Sequence, residues 1–235
     1  MSGNQRPVGR AMDDDHDARG ERERMVATQI AARGIRDPRV LAAMRSVPRH
    51  AFVAARLRGD AYEDTPLPIE DGQTISQPYI VALMLEAARL APTDRMLEIG
   101  AGSGYASAVA GRLVAHVDAV ERHPTLAALA RERLARLACT NVDVHVGDGS
   151  GGWAPGAPYD AIVVAAAGPR VPAALREQLA VGGRLVMPVE RNGHGAQRLV
   201  LVTRDGADAW REDDLGGVMF VPLVGAEGWP EPGSP

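Results

Sequence analysis

The chain carries LEIGAGSGY at residues 97–105, where a short apolar run passes directly into three glycines at alternate positions. Residues 95–99 have the composition of a strand, and a helix of small residues is predicted over about 104–113. Alternate glycines let the backbone turn tightly and approach a ligand where a Cβ would clash. The segment therefore predicts an α/β fold with a small-molecule site at the end of a strand.

Strand and helix patterns alternate along the rest of the chain. Further strands are predicted at 116–121, 142–146, 160–166 and 184–189, with helices at 124–137 and 171–179. Such alternation is typical of βαβ units in a mostly parallel, doubly wound sheet of the Rossmann type. The last candidate strands, 197–203 and 217–223, have no helix between them, which predicts an antiparallel end to the sheet.

The residues before this core indicate a helical segment. Apolar residues stand at helical spacing in 25–32 before Gly34, and Asp37-Pro38 begins a second helix. We expect one domain over 21–229, divided into a helical cap and substrate loop (21–77) and a Rossmann-like core (78–229). We expect residues 1–20 to be a disordered tail and residues 230–235 a mobile one.

Composition excludes several classes of protein. The 235 residues are 46% hydrophobic, with a net charge of −4 that argues against binding nucleic acid. All 26 basic residues are arginine, so neither a lysine Schiff base nor a P-loop lysine is present. A single cysteine excludes an intramolecular disulfide, and the histidines lack metal-ligand spacing. Because no apolar run approaches about 20 residues and the N-terminus lacks a secretory pattern, we expect a cytoplasmic protein without a metal.

Polar residues at successive strand ends identify the class of ligand. A dinucleotide site would need glycine at position 105, where Tyr105 stands. Glu121 closes the second strand, where a carboxylate can accept both ribose hydroxyls, and Asp148 closes the third between two glycines, where it can accept from an adenine amino group. Together these features favour S-adenosylmethionine. For each alone, a solvated strand end or a plain turn is the alternative.

The residues after the fourth strand indicate the methyl acceptor. Enzymes that methylate amino groups of bases commonly carry an acid or amide with an aromatic there, whereas residues 163–168 are VVAAAG. A carboxylate, ionised above pH ~4, needs no general base; it needs alignment and exclusion of water. Residues 72–78, GQTISQP, offer the hydroxyls of Thr74 and Ser76 before a helix whose N-terminus favours an anion. Both side chains are alternatively simple helix N-caps.

The chain resembles the protein-L-isoaspartate O-methyltransferase family, whose members are class I methyltransferases dependent on S-adenosylmethionine. The resemblance covers about residues 25–229 and rests on MVATQI, RGIRDPRVLAAM, VPRHAFV, AYEDTPLPI, GQTISQPYIVA, LEIGAGSGY, NVDVHVGDG, APYDAIVVAAA, QLAVGGRLVMPV and FVPLVG. It implies methyl transfer to the free α-carboxylate of an L-isoaspartyl residue in a damaged protein, with S-adenosylhomocysteine as product. The ester then cyclises to a succinimide, which hydrolyses partly to aspartate.

The resemblance assigns Ser76 as the essential serine. It implies cofactor contacts at Thr74, Ile75, Gln77, Glu98, Gly100, Gly102, Ser103, Glu121, Arg122, Asp148 and Gly149. Substrate contacts are expected at Thr74 and Ser76, and at Val221, Leu223 and Val224 in a strand-like segment that offers main-chain groups to a polypeptide. A core strand without a ligand role is the alternative for that segment. Ala101 and Val164 depart from the family's usual hydroxyl residues, which puts fine cofactor contacts in doubt.

Two other functions compete with repair. A specialised relative would methylate a normal aspartate of one peptide and install an aspartimide. A non-catalytic, cofactor-binding scaffold is disfavoured by the intact Ser76 and glycine-rich turn. For the repair enzyme we expect a monomer whose partners are isoaspartyl-containing proteins and peptides, without nucleic acid or membrane.

Overall fold

The computed structural model describes residues 18–191 and 195–231. Its strands are β1 (Leu67–Pro68), β2 (Thr74–Ile75), β3 (Arg95–Ile99), β4 (His116–Glu121), β5 (Val142–Val146), β6 (Tyr159–Val164), β7 (Leu179–Arg191), β8 (Ala196–Gly206) and β9 (Ala209–Val218). Its helices are α1 (18–30), α2 (Pro38–Ser46), α3 (Pro78–Ala87), α4 (Tyr105–Ala110), α5 (Pro124–Arg136) and α6 (Ala173–Glu177).

Seven strands form one sheet in the order β5-β4-β3-β6-β7-β8-β9. The strands from β5 to β7 are parallel, and β8 and β9 complete the sheet in antiparallel fashion. The order reverses beside β3, where β4 lies on one side and β6 on the other. In open α/β sheets the crevice at such a reversal is where ligands bind. The predicted doubly wound sheet with an antiparallel end is confirmed.

Both faces of the sheet are covered by apolar side chains. In β3, Met96 faces the cluster formed with α1 to α5, while Leu97 and Ile99 face the cluster that includes Leu175 of α6. This double burial explains why the central strands are nearly continuous apolar runs. It also fixes the strand ends that carry the site.

The N-terminal segment departs from the expected tail boundary. Residues 18–24 form regular α-helix, Met25–Ile30 continues as a π-helix, and Ala31–Arg33 tightens to 3₁₀ before Gly34 at φ 107°. Residues 18–20 are therefore helical rather than part of a disordered tail, because they extend a helix that buries Met25 and Ile30. The remaining tail residues, 1–17 and 232–235, lie outside the described part of the chain.

The C-terminal strands differ from their predicted places. β9 is Ala209–Val218 rather than 217–223, and β7 begins at Leu179, five residues before the predicted strand. The outer strand β9 carries an exposed charged run at 211–214. Charges are common on edge strands because they discourage pairing with other chains, and they also remove the apolar alternation by which a strand is predicted.

Residues 18–191 and 195–231 contain neither a membrane-spanning helix nor a cluster of metal ligands. No helix in these ranges has the length and hydropathy to cross a membrane. No group of three or more acidic, histidine or cysteine side chains in them is arranged to hold a metal ion.

Candidate active site

A cavity of about 510 Å³ lies at the carboxyl ends of β3, β4 and β6. Its volume is within the range of small-molecule sites. It brings together most of the residues predicted from the sequence, namely Thr74, Ile75, Ser76, Glu98, Gly100, Gly102, Ser103, Glu121, Arg122, Gly149, Val221, Leu223 and Val224. Gln77 and Asp148 are not among the lining residues.

The glycine-rich turn forms one wall of the cavity. Gly100, Gly102 and Gly104 have φ of 87°, 53° and 88°, a region that side chains rarely adopt. The N–H groups of Gly100 and Ala101 donate to the Val120 carbonyl at 2.8 and 3.2 Å, which holds the turn against the end of β4. The backbone therefore faces the cavity in the predicted way.

Glu121 is buried at the end of β4 and lines the cavity. Its Oε2 accepts from the Gly102 N–H at 2.8 Å, and its Oε1 accepts from the His123 N–H at 2.9 Å. A carboxylate has about four lone-pair sites, so acceptor capacity remains for a ligand. The alternative of a solvated strand end is excluded because only 4% of the residue is exposed.

Glu98 is a second buried carboxyl group in the same wall. Burial raises its pKa from 4.5 to about 8, with the Ser107 hydrogen bond opposing and the Glu121 charge adding to the shift. The Ser107 hydroxyl donates to Glu98 Oε2. Near neutral pH this group is therefore mostly protonated, unlike an exposed glutamate.

Ser76 lies between β2 and α3 and is half-buried in the cavity wall. The N-cap position of α3 is Gln77, so neither Ser76 nor Thr74 is the N-cap. Within the described residues the Ser76 hydroxyl makes no hydrogen bond to the protein, which leaves it available to a ligand. Gln77 instead donates from Nε2 to the Asp64 carbonyl at 2.9 Å.

The start of α3 already faces an anion from the chain itself. Pro78 has no N–H, and the Tyr79 N–H donates to Asp64 Oδ1 at 3.0 Å. The helix N-terminus does face an anion, and at the Tyr79 N–H the chain's own Asp64 supplies it. The hydroxyl groups of the preceding strap, residues 74–77, remain the available donors.

Asp148 and Gly149 are neighbours in sequence, but only Gly149 lines the cavity. The Asp148 carboxylate accepts from the Ser150 N–H at 2.8 Å and from the Ala226 N–H at 2.7 Å. Partial desolvation would raise the pKa of Asp148, but these hydrogen bonds outweigh it and hold the pKa below its usual range. Gly149 faces the cavity, and a Cβ there would come within 2.5 Å of Ile99 Cγ2.

The segment 220–224 is not an unpaired strand. The Val221 carbonyl accepts from the Ala167 N–H and the Leu223 N–H donates to the Ala167 carbonyl, both at 2.8 Å. The Gln197 side chain bonds both main-chain groups of Phe220. These groups are already used because the segment closes the gap beyond β6. The main-chain groups of Phe220, the Val221 carbonyl and the Leu223 N–H are therefore already bonded within the chain, while Val221, Leu223 and Val224 line the cavity.

Several lining residues were not predicted as site residues. Tyr105 is buried against Phe52, at 5.5 Å between ring centroids, whereas in the sequence it serves only to break a dinucleotide motif. Glu231 pairs with Arg122, and both residues line the cavity. Glu231 lies in a polar tail whose sequence shows no pattern. Only the spatial return of the tail to β4 brings it into the site.

The donor set discriminates between classes of ligand. A pyrophosphate needs free N–H groups at the glycine-rich turn, whereas the Gly102 N–H is bonded to Glu121. The Glu121 carboxylate lines the same wall and disfavours phosphate. A ligand with hydroxyl groups and positive charge fits better, and S-adenosylmethionine has a ribose, an ammonium group and a sulfonium. The residues present fit this cofactor.

A doubly wound sheet with this turn, and with an acceptor carboxylate at the next strand end, defines a class I methyltransferase dependent on S-adenosylmethionine. Residues 20–228 match the sequence profile of the family described as Protein-L-isoaspartate(D-aspartate) O-methyltransferase (PCMT). The chain belongs to this family.

Similar proteins span most of the chain. A protein-L-isoaspartate O-methyltransferase 1 of Rhodopseudomonas palustris (strain HaA2) is 58% identical over 224 residues, which cover 94% of this chain and 91% of the relative. A solved protein-L-isoaspartate O-methyltransferase has a TM-score of 0.80 at 29% identity, covering 88% of this chain and 67% of its own. A putative Plasmodium falciparum enzyme in complex with S-adenosyl-L-homocysteine has a TM-score of 0.75 at 27% identity, covering 86% and 98% respectively.

Proposed function

We propose that this chain transfers a methyl group from S-adenosylmethionine to the free α-carboxylate of L-isoaspartyl residues in damaged proteins and peptides. The ester formed would then close to a succinimide and allow partial return to aspartate. The observation that carries the proposal is the placement of Ser76 in the wall of the same cavity as Glu121 and the glycine-rich turn. Membership of the family supports the same reaction.

The cofactor, when bound, supplies an electrophilic methyl group on a positively charged sulfur. Glu121 is proposed to accept from the ribose hydroxyls, because its carboxylate is buried and oriented by the Gly102 and His123 N–H groups. The turn at Gly100 and Gly102 gives the cofactor close backbone contact. Gly149 lines the cavity and is proposed to face the base, at a position where a Cβ would come within 2.5 Å of Ile99 Cγ2.

Ser76 is proposed to orient the substrate carboxylate by donating a hydrogen bond from its hydroxyl. A carboxylate is already ionised at neutral pH and is itself the nucleophile, so no general base is required. The end of β6 and the residues after it offer no general base, since Val163, Ala165 and Ala166 present only apolar side chains to the cavity. Apolar walls exclude water, which strengthens the polar contacts that align the reacting groups.

The other proposed contacts are drawn from the residues that line the cavity. Thr74, Ile75, Glu98, Ser103 and Arg122 are proposed to contact the cofactor, because they line the cavity. Thr74 also stands beside Ser76 for the substrate, to which the lining residues Val221, Leu223 and Val224 contribute apolar surface. Gln77 and Asp148 do not line the cavity and would act indirectly. Gln77 holds the start of α3 through its bond to the Asp64 carbonyl, and Asp148 holds the chain at Ala226. A cytoplasmic monomer without nucleic acid or membrane partners stays a prediction.

Methyl transfer from labelled cofactor to a matched peptide pair tests the proposal. One peptide carries L-isoaspartate and the other L-aspartate at the same position. We expect methylation of the isoaspartyl peptide, with volatile methanol released as the ester closes. Transfer only to the aspartyl peptide would instead identify an aspartimide-forming relative, and transfer to neither would support a cofactor-binding scaffold.

A further inference from the structure

Helix α3 is capped by a residue far upstream in the chain. Its N-cap residue, Gln77, makes no side-chain capping bond, and Pro78 has no N–H to be satisfied. The first N–H of the helix belongs to Tyr79 and donates to Asp64 Oδ1 at 3.0 Å. A carboxylate at this place compensates both the unsatisfied N–H and the helix dipole.

The same residue also holds the strap before the helix. The Asp64 carbonyl accepts from Gln77 Nε2 at 2.9 Å, so residue 64 bonds to the chain on the C-terminal side of Ser76 through two separate groups. On the other side of Ser76, β2 pairs with β1, with Ile75 opposite Leu67. Ser76 therefore lies between two held segments: the β1–β2 pair precedes it, and the residues bonded to Asp64 follow it.

Asp64 makes further contacts that hold it in place. Its Oδ2 pairs with Arg33 at the end of the N-terminal helical segment, and only 17% of the Asp64 side chain is exposed. The Arg33 guanidinium lies 3.6 Å from the Tyr79 ring centroid, so it packs on the helix that Asp64 caps. The fully buried Arg49 donates to the carbonyls of Ala61, at 2.8 Å, and Thr65, at 3.3 Å, and anchors the loop on both sides of Asp64.

We propose that Asp64 is a positioning residue for Ser76. Asp64 is not part of the cavity wall; it fixes the start of α3 and the strap, and through them the direction of the Ser76 hydroxyl. Loss of this contact would displace the hydroxyl, and misplacement by about 1 Å can cost about 100-fold in rate. The proposal rests on the proposed function for its kinetic readout, but its structural part is measurable without turnover.

Three variants separate positioning from general stability. Asp64→Ala removes the acceptor, Asp64→Asn keeps an oxygen for the Tyr79 N–H but removes the charge facing Arg33, and Asp60→Ala is the control on the exposed preceding turn. For Asp64→Ala we expect kcat on an isoaspartyl peptide to fall by about 10- to 100-fold. The affinity for S-adenosylhomocysteine should fall by a smaller factor than kcat, because Glu121 and the glycine-rich turn are untouched, and Asp64→Asn should recover part of the rate. Equal kcat in Asp64→Ala and the control overturns the proposal.

A double mutant tests whether Asp64 acts through Ser76. In a Ser76→Ala background, adding Asp64→Ala should change kcat by less than about twofold, because residues that act as one unit are not additive. Independent, multiplied losses overturn the proposal.

Amide hydrogen exchange gives the readout that needs no activity. Asp64→Ala should speed exchange at Tyr79 and in residues 74–77, and Asp60→Ala should not. Unchanged exchange in Asp64→Ala contradicts the positioning role whether or not the enzyme turns over. Failure of the proposed function is seen separately, as absence of methyl transfer by the unmodified chain.

Discussion

The Glu121 carboxylate accepts a hydrogen bond from the Gly102 N–H at 2.8 Å, which joins the end of β4 to the glycine-rich turn after β3. Its other oxygen accepts from the His123 N–H at 2.9 Å. The residue thus shapes the turn and presents its remaining lone pairs to the cavity. The carboxyl ends of β3 and β4 are thereby joined in one wall of the cavity.

Glu121→Ala is expected to weaken binding of S-adenosylhomocysteine. It removes the proposed ribose acceptor, a loss of roughly 1.5–3 kcal/mol for a hydrogen bond to a charged group, and it also frees the Gly102 N–H. Calorimetric titration measures the change. Glu132→Ala is the control, because that glutamate pairs with Arg136 one turn away on the exposed surface of α5. An unchanged Kd in Glu121→Ala would show that the ribose lies elsewhere.

Ser76→Ala is expected to lower kcat by roughly 100-fold or more if misorientation of the substrate dominates. Cofactor affinity should change little, since the proposed cofactor contacts of the glycine-rich turn remain. Ser76→Thr keeps the hydroxyl but adds a methyl group in a confined wall, so partial or no recovery is expected. Steady-state kinetics and mass spectrometry check both points. A methylated Ser76 intermediate would contradict the orienting role.

Glu98 is expected to make stability depend on pH. Its pKa is raised by burial from 4.5 to about 8 in the folded chain. Between these values the folded state keeps a proton that the unfolded state has released, so the unfolding free energy falls as pH rises. The contribution is complete below about 4.5 and is lost as pH passes about 8.

Glu98→Gln tests this sign because an amide cannot lose the proton. The unfolding free energy of the variant, minus that of the unmodified chain, should increase from pH 5 to pH 9. Urea unfolding across that range measures the difference, in which groups common to both proteins cancel. Glu132→Gln serves as the exposed control. If the unfolding free energies of the two proteins differ by the same amount at every pH in this range, the pKa of Glu98 is not raised.

The elements that could be predicted from the sequence are those marked by adjacent residues in the chain. The turn at Gly100 and the strand end at Glu121 are encoded by neighbouring residues, and the structure brings both to the cavity. The strand β9 was misplaced because its charges hide the alternation. The cap of α3 by Asp64 was missed because nothing local links residues fifteen positions apart across an irregular loop. Such contacts depend on how the loop folds back onto the start of α3.

Gly149 and Gly147 provide a matched pair for the last prediction. A Cβ at Gly149 would come within 2.5 Å of Ile99 Cγ2, whereas a Cβ at Gly147 would meet nothing within 4 Å. Because Ile99 is buried at the end of β3 and lines the cavity, it must move to accept the methyl group. We expect Gly149→Ala to lose about 1–3 kcal/mol of unfolding free energy through overpacking.

The same substitution should weaken S-adenosylhomocysteine binding, since Ile99 and Gly149 share the cavity wall. Gly147→Ala should stay within about 0.5 kcal/mol in stability and keep its affinity. Thermal unfolding with calorimetric titration measures both variants side by side. Equal behaviour of the two would mean that Ile99 yields without cost, and that the close approach at Gly149 does not shape the cofactor site.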